Sequence, residues 1–369
     1  MCRSTLTTTS STTLTTAKET QSNIPPFPER QLWSSLPHKN INNMKYLIPL
    51  ISLLLFLSSC SEKEDATPSY ADTDRLETLL DHDISKIADF KEKYGTYILY
   101  KFDKTKDFSY QFEQASNWQN ASLDYINHDD ASAAVDFLNS DIFSCYNDAY
   151  KEKYYPRKLL LVSRISSTSE LGLSQPIRGL HDAVGSINSV TFSNMSQSAI
   201  QEALNDEALL SQYCSAMHRA LLADYLVKAR ADYPVDDVFL TYSQNYYASL
   251  MNSKRKTAAQ LVSEDANFFY DRGFFFPSDD ESTYFPSAEE DIISFICNMI
   301  TMDGATANAL LDMPLIADKM HLLTTGLQDM GVDVMKINPN MEQFLKKKYV
   351  QPSTMFASDV VTDTPEADM

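Results

Sequence analysis

The stretch Gly95-Thr96-Tyr97-Ile98-Leu99-Tyr100-Lys101-Phe102 decides the fold class. Ahead of it, Leu76, Leu79, Leu80, Ile84, Ile87 and Phe90 recur at three- and four-residue steps, which predicts an amphipathic helix from Arg75. Gly95 ends that helix, because glycine alone enters the left-handed conformation without steric cost. Thr96 to Phe102 is β-branched and aromatic and reads as a strand. Outward from this pair, a polar loop runs to about Asp130, and a second helix uses Val135, Leu138, Ile142, Cys145, Tyr146 and Ala149 up to Pro156. Leu159 to Ile165 is a further strand candidate and Ser186 to Phe192 a weaker one.

From Ser198 the pattern is helical almost throughout, in segments near 198–230, 236–251, 254–271, 287–302, 305–312, 315–330 and 340–349. Ser287 and Glu290 form a capping box ahead of Ile292, Ile293, Phe295 and Ile296. Gly273 follows Phe268 to Arg272 as a left-handed C-terminal residue would. Strands early and helices late give an α+β class, with a small few-stranded sheet packed by a mainly helical C-terminal half.

Met44 to Asp65 reads MKYLIPLISLLLFLSSCSEKED. A lysine, an apolar run too short to span a bilayer and small residues before a cysteine have the order of an export signal. Leu57-Ser58-Ser59-Cys60 fits a lipobox, and the chain resembles a bacterial lipoprotein precursor. The resemblance implies cleavage before Cys60 and a diacylglyceryl thioether on its sulfur, so the protein meets the membrane through lipid on Cys60. The alternative is an ordinary secretory signal that ends in cysteine. Ser4 to Thr16 is almost entirely Ser and Thr, with too few apolar residues to fold, and Met44 is the expected initiator. Glu62, Lys63, Glu64 and Asp65 form an acidic patch that resembles the signal sending lipoproteins of Gram-negative gut bacteria to the outer face of the outer membrane. A periplasm-facing anchor is the alternative. The expected organisation is therefore an upstream segment over 1–43, a lipoprotein signal peptide over 44–59, an acidic tether over 60–72, one domain over 73–350 and an acidic disordered tail over 351–369.

The whole chain carries a net charge of −19, and residues 1–59 hold five Lys/Arg and two Asp/Glu, which leaves −22 for the mature part. That balance opposes nucleic-acid binding, since phosphates need Lys and Arg. Beyond Cys60 the mature chain has Cys145, Cys214 and Cys297, an odd number in apolar helical settings, which reads as buried inert thiols. One disulfide with a free thiol is the alternative.

Sequence motifs for chemistry are sparse. The chain has no G-x-S-x-G, Walker loop, G-x-G-x-x-G or H-E-x-x-H. The histidines of the mature part are His82, His128, His181, His218 and His321, none paired at metal-ligand spacing on one helix. Asp279-Asp280-Glu281 reads as a solvated loop, and Glu289-Glu290-Asp291 as a helix N-terminal turn that complements the helix dipole.

The order of segments is more telling. After the lipobox come a helix ending in Tyr-Gly, a Y-I-L-Y-K-F strand, a helix running into K-E-K-Y-Y-P and an L-L-L-V-S strand. A long helix with Ser215-Ala216-Met217-His218-Arg219-Ala220-Leu221-Leu222 follows, then Arg272-Gly273-Phe274-Phe275 and the helix opened by Glu290-Asp291-Ile292-Ile293-Ser294. Over most of residues 70–345 this resembles the zinc-binding metallopeptidase lipoproteins of Gram-negative gut bacteria, which are zincin-like and often stand beside outer-membrane uptake systems. The family motif supplies H-E-x-x-H on the long helix and an acidic ligand on a later one. On that placement His218 takes the first ligand position, Arg219 that of the general base, Leu222 that of the second histidine and Ser294 that of the final acid. Leucine cannot ligate zinc, and an arginine there repels a cation. The resemblance with these departures implies a non-catalytic, degenerate member with no metal and no other cofactor. Such a member binds a peptide or glycan, or serves an uptake complex as an accessory subunit. A hydrolase using an unrecognised site, with Asp224 and Glu289 to Asp291 as candidates, is the competing expectation. A helical-repeat sugar binder stacking ligand on Tyr246-Tyr247 or Phe274 to Phe276 is the third.

Overall fold

The computed structural model describes residues 70–109, 121–167, 179–277 and 279–347. The signal peptide, Cys60, the acidic patch Glu62 to Asp65 and the tail from Gln351 lie outside the described residues.

Two helices, α1 (Tyr70–Leu79) and α2 (Ser85–Tyr94), replace the single expected one. The break falls where Asp81 accepts the backbone N–H of Asp83 and also the hydroxyl of Tyr100, so a local turn competes with the helical ladder. Gly95 closes α2 at φ +73°, its N–H donating to the Lys91 carbonyl at 2.8 Å. The strand that follows is β1 (Tyr97–Leu99), buried at all three positions and shorter than its sequence pattern.

The expected loop to Asp130 contains β2 (Ala121–Tyr125), and the next helix starts earlier than its apolar pattern. Asn127 and Asp130 form a capping box that opens α3 (His128–Phe137). The chain then winds into a wider π turn over Leu138–Ile142 and a tight turn over Phe143–Cys145. Tyr146 is extended, and the Asn147 side chain accepts from the Tyr150 N–H to restart the helix as α4 (Asp148–Tyr154).

The long strand β3 (Lys158–Ser167) organises the sheet, followed by β4 (Gly179–His181), β5 (Ala183–Gly185) and β6 (Ser189–Phe192). Its first half, Lys158 to Leu161, lies between β1 and β6, both parallel to it. Its second half, Val162 to Ser167, lies between β2 and β4, both antiparallel. β5 pairs with β6 at the far edge. The result is a six-stranded mixed sheet.

Helices cover this sheet in sequence. α5 (Gln197–Leu204) ends at Asn205, and Asp206 caps α6 (Glu207–Arg219) by accepting from Ala208 and Leu209. From Ala220 to Ala229 the same helix continues with π winding, and Arg230 still bonds back five residues to Tyr225. This π segment packs on β5 and β6. The expected helix over 236–251 is only α7 (Asp237–Thr241), because Leu250 instead pairs antiparallel with Tyr284. After α8 (Ala258–Glu264) and a turn closed by Gly273 at φ +77°, the predicted capping box opens α9 (Ala288–Thr301). α9 packs against the π segment and against α11 (Pro314–Met330), with α10 (Gly304–Leu310) between them in sequence. Two short helices, α12 (Val334–Ile337) and α13 (Glu342–Leu345), close the described chain. The fold is α+β, a small mixed sheet with a helical C-terminal half, and no described helix is long and apolar enough to cross a membrane.

Most buried apolar side chains form one core between sheet and helices, built on residues such as Leu160, Leu226 and Phe295. A smaller aromatic cluster gathers Phe268, Phe269, Phe274 and Phe285, with Tyr246 and Tyr247 packed on it. The Phe274 ring is fully buried, so those aromatics serve packing, and only Phe276 of that run is well exposed.

Candidate functional site

His218 sits in the last turn of α6, two residues before the π segment begins. It is 3% exposed. Its Nδ1 is hydrogen-bonded to the Tyr146 hydroxyl at 2.8 Å, with the tautomer of the ring setting which of the two donates. Tyr146 packs against Tyr150 and Tyr155, both buried, so the imidazole faces an aromatic wall. Burial pushes its pKa down to about 4, which keeps the ring neutral. Leu222, one turn on, is fully buried, while Arg219 is exposed. Ser294 is half-buried on α9, with its carbonyl accepting from Asn298 at 2.9 Å.

Asp291 departs from its expected place in a solvated N-terminal turn. It is 1% exposed, because α11 crosses α9 there and brings Lys319, itself fully buried, onto it. The Lys319 Nζ donates to Asp291 Oδ2 at 2.5 Å, to the Gly273 carbonyl at 2.8 Å and to the Ser243 hydroxyl at 3.1 Å. All three ammonium donors are thereby used. The nitrogen also lies 4.4 Å from the Phe239 ring centre, 4.7 Å from Phe295 and 5.2 Å from Phe274. Tyr247 donates its hydroxyl to the same carboxylate oxygen at 2.7 Å. Burial pulls the Lys319 pKa down to about 8 and raises that of Asp291, each opposed by the partner's charge.

Asp224, on the π segment, has a carboxyl raised by burial, with Arg219 and Lys228 as its charged neighbours. Asp291 holds Lys319 instead, and Glu290 is spent on the cap of α9. Cys145, Cys214 and Cys297 are all free thiols. Burial pushes Cys145 up to about 11 and Cys214 up to about 12, so neither supplies a thiolate near neutral pH. A shallow groove of about 490 Å³ opens beside Ser144, Asn147, Gln328, Asp333 and Lys336, with Tyr146 in its lining.

The donor set does not fit a zinc ion. A single imidazole stands at the expected ligand positions, a leucine and a serine occupy two others, and the buried carboxylate already holds an ammonium. Among the described residues no three His, Cys, Asp or Glu side chains gather in a metal-binding group. Sequence reasoning identified His218 and Asp291 but missed both of their partners. Tyr146 lies 72 residues from His218, and Lys319 lies 28 residues from Asp291.

No protein-family model matches the chain, and no curated protein does. Among solved structures, the chain is similar to a candidate zinc-binding metallo-peptidase from Bacteroides caccae, at 14% identity over 71% of this chain and 92% of that one, with a TM-score of 0.39. A likeness of that size fixes neither fold nor function for this chain.

Proposed function

We propose that this chain is a lipid-anchored, non-catalytic surface protein of a Gram-negative outer membrane, with a degenerate zincin-like domain. Its role is to bind a peptide or glycan, or to serve as an accessory subunit of an uptake complex. The lipobox ending at Cys60 and the acidic patch behind it support the anchor, and the charge of −22 on the mature part leaves attachment to lipid. The observation that carries the non-catalytic reading is the Lys319–Asp291 pair. The buried carboxylate of α9 is taken up by an internal ammonium, and Ser294, three residues on, stands where a peptidase of this kind would present an acid to zinc. The groove beside Asp333 and Lys336 offers a ligand a concave surface with both charges at hand.

The hydrolase reading draws on one observation, the raised carboxyl of Asp224. Zinc content and zinc affinity, measured on protein beginning after Cys60 and on its His218→Ala variant, separate the two. The non-catalytic reading expects a folded protein without stoichiometric zinc in either. Stoichiometric zinc that is lost in the variant would restore a metallohydrolase. Peptide hydrolysis without zinc that is abolished by Asp224→Asn would establish the second reading.

A further inference from the structure

We propose that Lys319 and Asp291 become joined by an intramolecular amide bond once the chain has folded. The inference uses the same pair as the functional reading but does not depend on it, since a cross-link is compatible with any activity elsewhere.

The geometry is that of a reactant pair held in place. Nζ and Oδ2 are 2.5 Å apart, and both side chains are sealed from water at 0% and 1% exposure. The amine is fixed by Ser243 and the Gly273 carbonyl on one side and by the rings of Phe239, Phe274 and Phe295 on the other. Gly273 is what lets the backbone come so close, because a Cβ there would stand 2.7 Å from the Ser243 Oγ. Pre-organisation of this kind removes the entropic part of a bimolecular barrier.

Burial acts on the protonation states in the productive direction. It lowers the lysine and raises the aspartic acid, which narrows the gap between the ion pair and the neutral amine with carboxylic acid from which condensation starts. The step is a condensation. The proton passes from the ammonium to the carboxylate, and the amine lone pair then attacks Cγ to form the C–N bond. A carboxyl oxygen leaves as water, carrying the carboxyl proton and one from the amine. Tyr247, whose hydroxyl is 2.7 Å from Oδ2, is placed to relay that second proton. No oxidant, reductant or cofactor enters, and excluding bulk water disfavours the reverse hydrolysis.

The sequence makes the test direct. Between Arg272 and Lys319 there is no Lys or Arg, and the next basic residue is Lys336. Trypsin acting on the denatured, full-length protein therefore releases Gly273–Lys319 if the lysine is free. If it is amidated, cleavage after Lys319 fails, and the peptide extends from Gly273 to Lys336 with the mass of one water missing. Fragmentation should place the closed loop between Asp291 and Lys319. The Lys319→Arg variant should regain cleavage at 319 and the full sequence mass. Release of Gly273–Lys319 at full mass from the native protein overturns the proposal. Loss of water with cleavage after Lys319 intact also overturns it, because that pattern is a succinimide at an aspartate.

Discussion

The Tyr146 hydroxyl and Nδ1 of His218 share a hydrogen bond of 2.8 Å across 72 residues of chain, joining the turn after α3 to the end of α6. Because the ring is buried with its pKa at about 4, against about 6.5 in an unfolded chain, acid works against the fold. The unfolded state takes up the proton first as pH falls through 6.5, so stability is full above that value. It declines down to about pH 4, by about 3 kcal/mol in all. Chemical denaturation from pH 7.5 to pH 4 checks this. The stability of His218→Met should fall less steeply over that window than that of the parent. Tyr146→Phe, which strips the buried Nδ1 of its hydrogen-bond partner, should cost about 1–3 kcal/mol at pH 7.5.

Close backbone approach gives a second expectation. A Cβ on Gly326, in α11, would stand 1.8 Å from the Pro234 carbonyl oxygen, a contact no side-chain movement relieves. Gly326→Ala should destabilise by about 3 kcal/mol, the upper end for overpacked sites. Gly185→Ala presses on the Asp224 Cβ at 2.7 Å and the Ala220 carbonyl at 2.9 Å, so it also forces the π segment away from β5. Thermal melts should rank both below Gly304→Ala, whose nearest obstacle is the Asn340 side chain at 3.1 Å.

Replacing Lys319 by Met leaves the Asp291 carboxylate buried without its cation. The expected cost is about 3–5 kcal/mol. Lys319→Met combined with Asp291→Leu removes the stranded charge, so the double variant should be milder than the single. Additive losses in the double-mutant cycle would mean that the two side chains do not interact.

The anchor has its own test. Palmitate labelling of the producing cell should tag the protein, and Cys60→Ala should abolish the label and release the protein from the membrane fraction. A parent protein that is unlabelled and already released would point to the ordinary secretory alternative, and retained membrane attachment in the variant to another anchor.

What was legible in the sequence was local. Gly95, Gly273 and the Ser287–Glu290 box each act within a few residues, and each stands where its chemistry required. Leu159 to Ile165 lies wholly within β3, whose apolar run marks a strand buried on both faces. β2 is only five residues of apolar–polar alternation, Ala-Ser-Leu-Asp-Tyr, inside a polar stretch, and its pairing with β3 is what makes it a strand. The π winding after Arg219 has no local signature at all, since alanine and leucine suit an ordinary helix equally well. Asp291 was misread for the same reason. Within its own helix it is one of three acids in a first turn, and only a lysine on another helix turns it inward.

The divided pairing of β3 bears on how the chain must be handled before it is folded. While residues 189–192 are still unpaired, Leu159 to Leu161 presents a bare, apolar sheet edge on the side that β6 covers in the folded chain. Such an edge recruits strands from other chains. Until Phe192 reaches Leu161 that edge stays open to other chains, so crowding during folding is hazardous over one defined segment of the sheet.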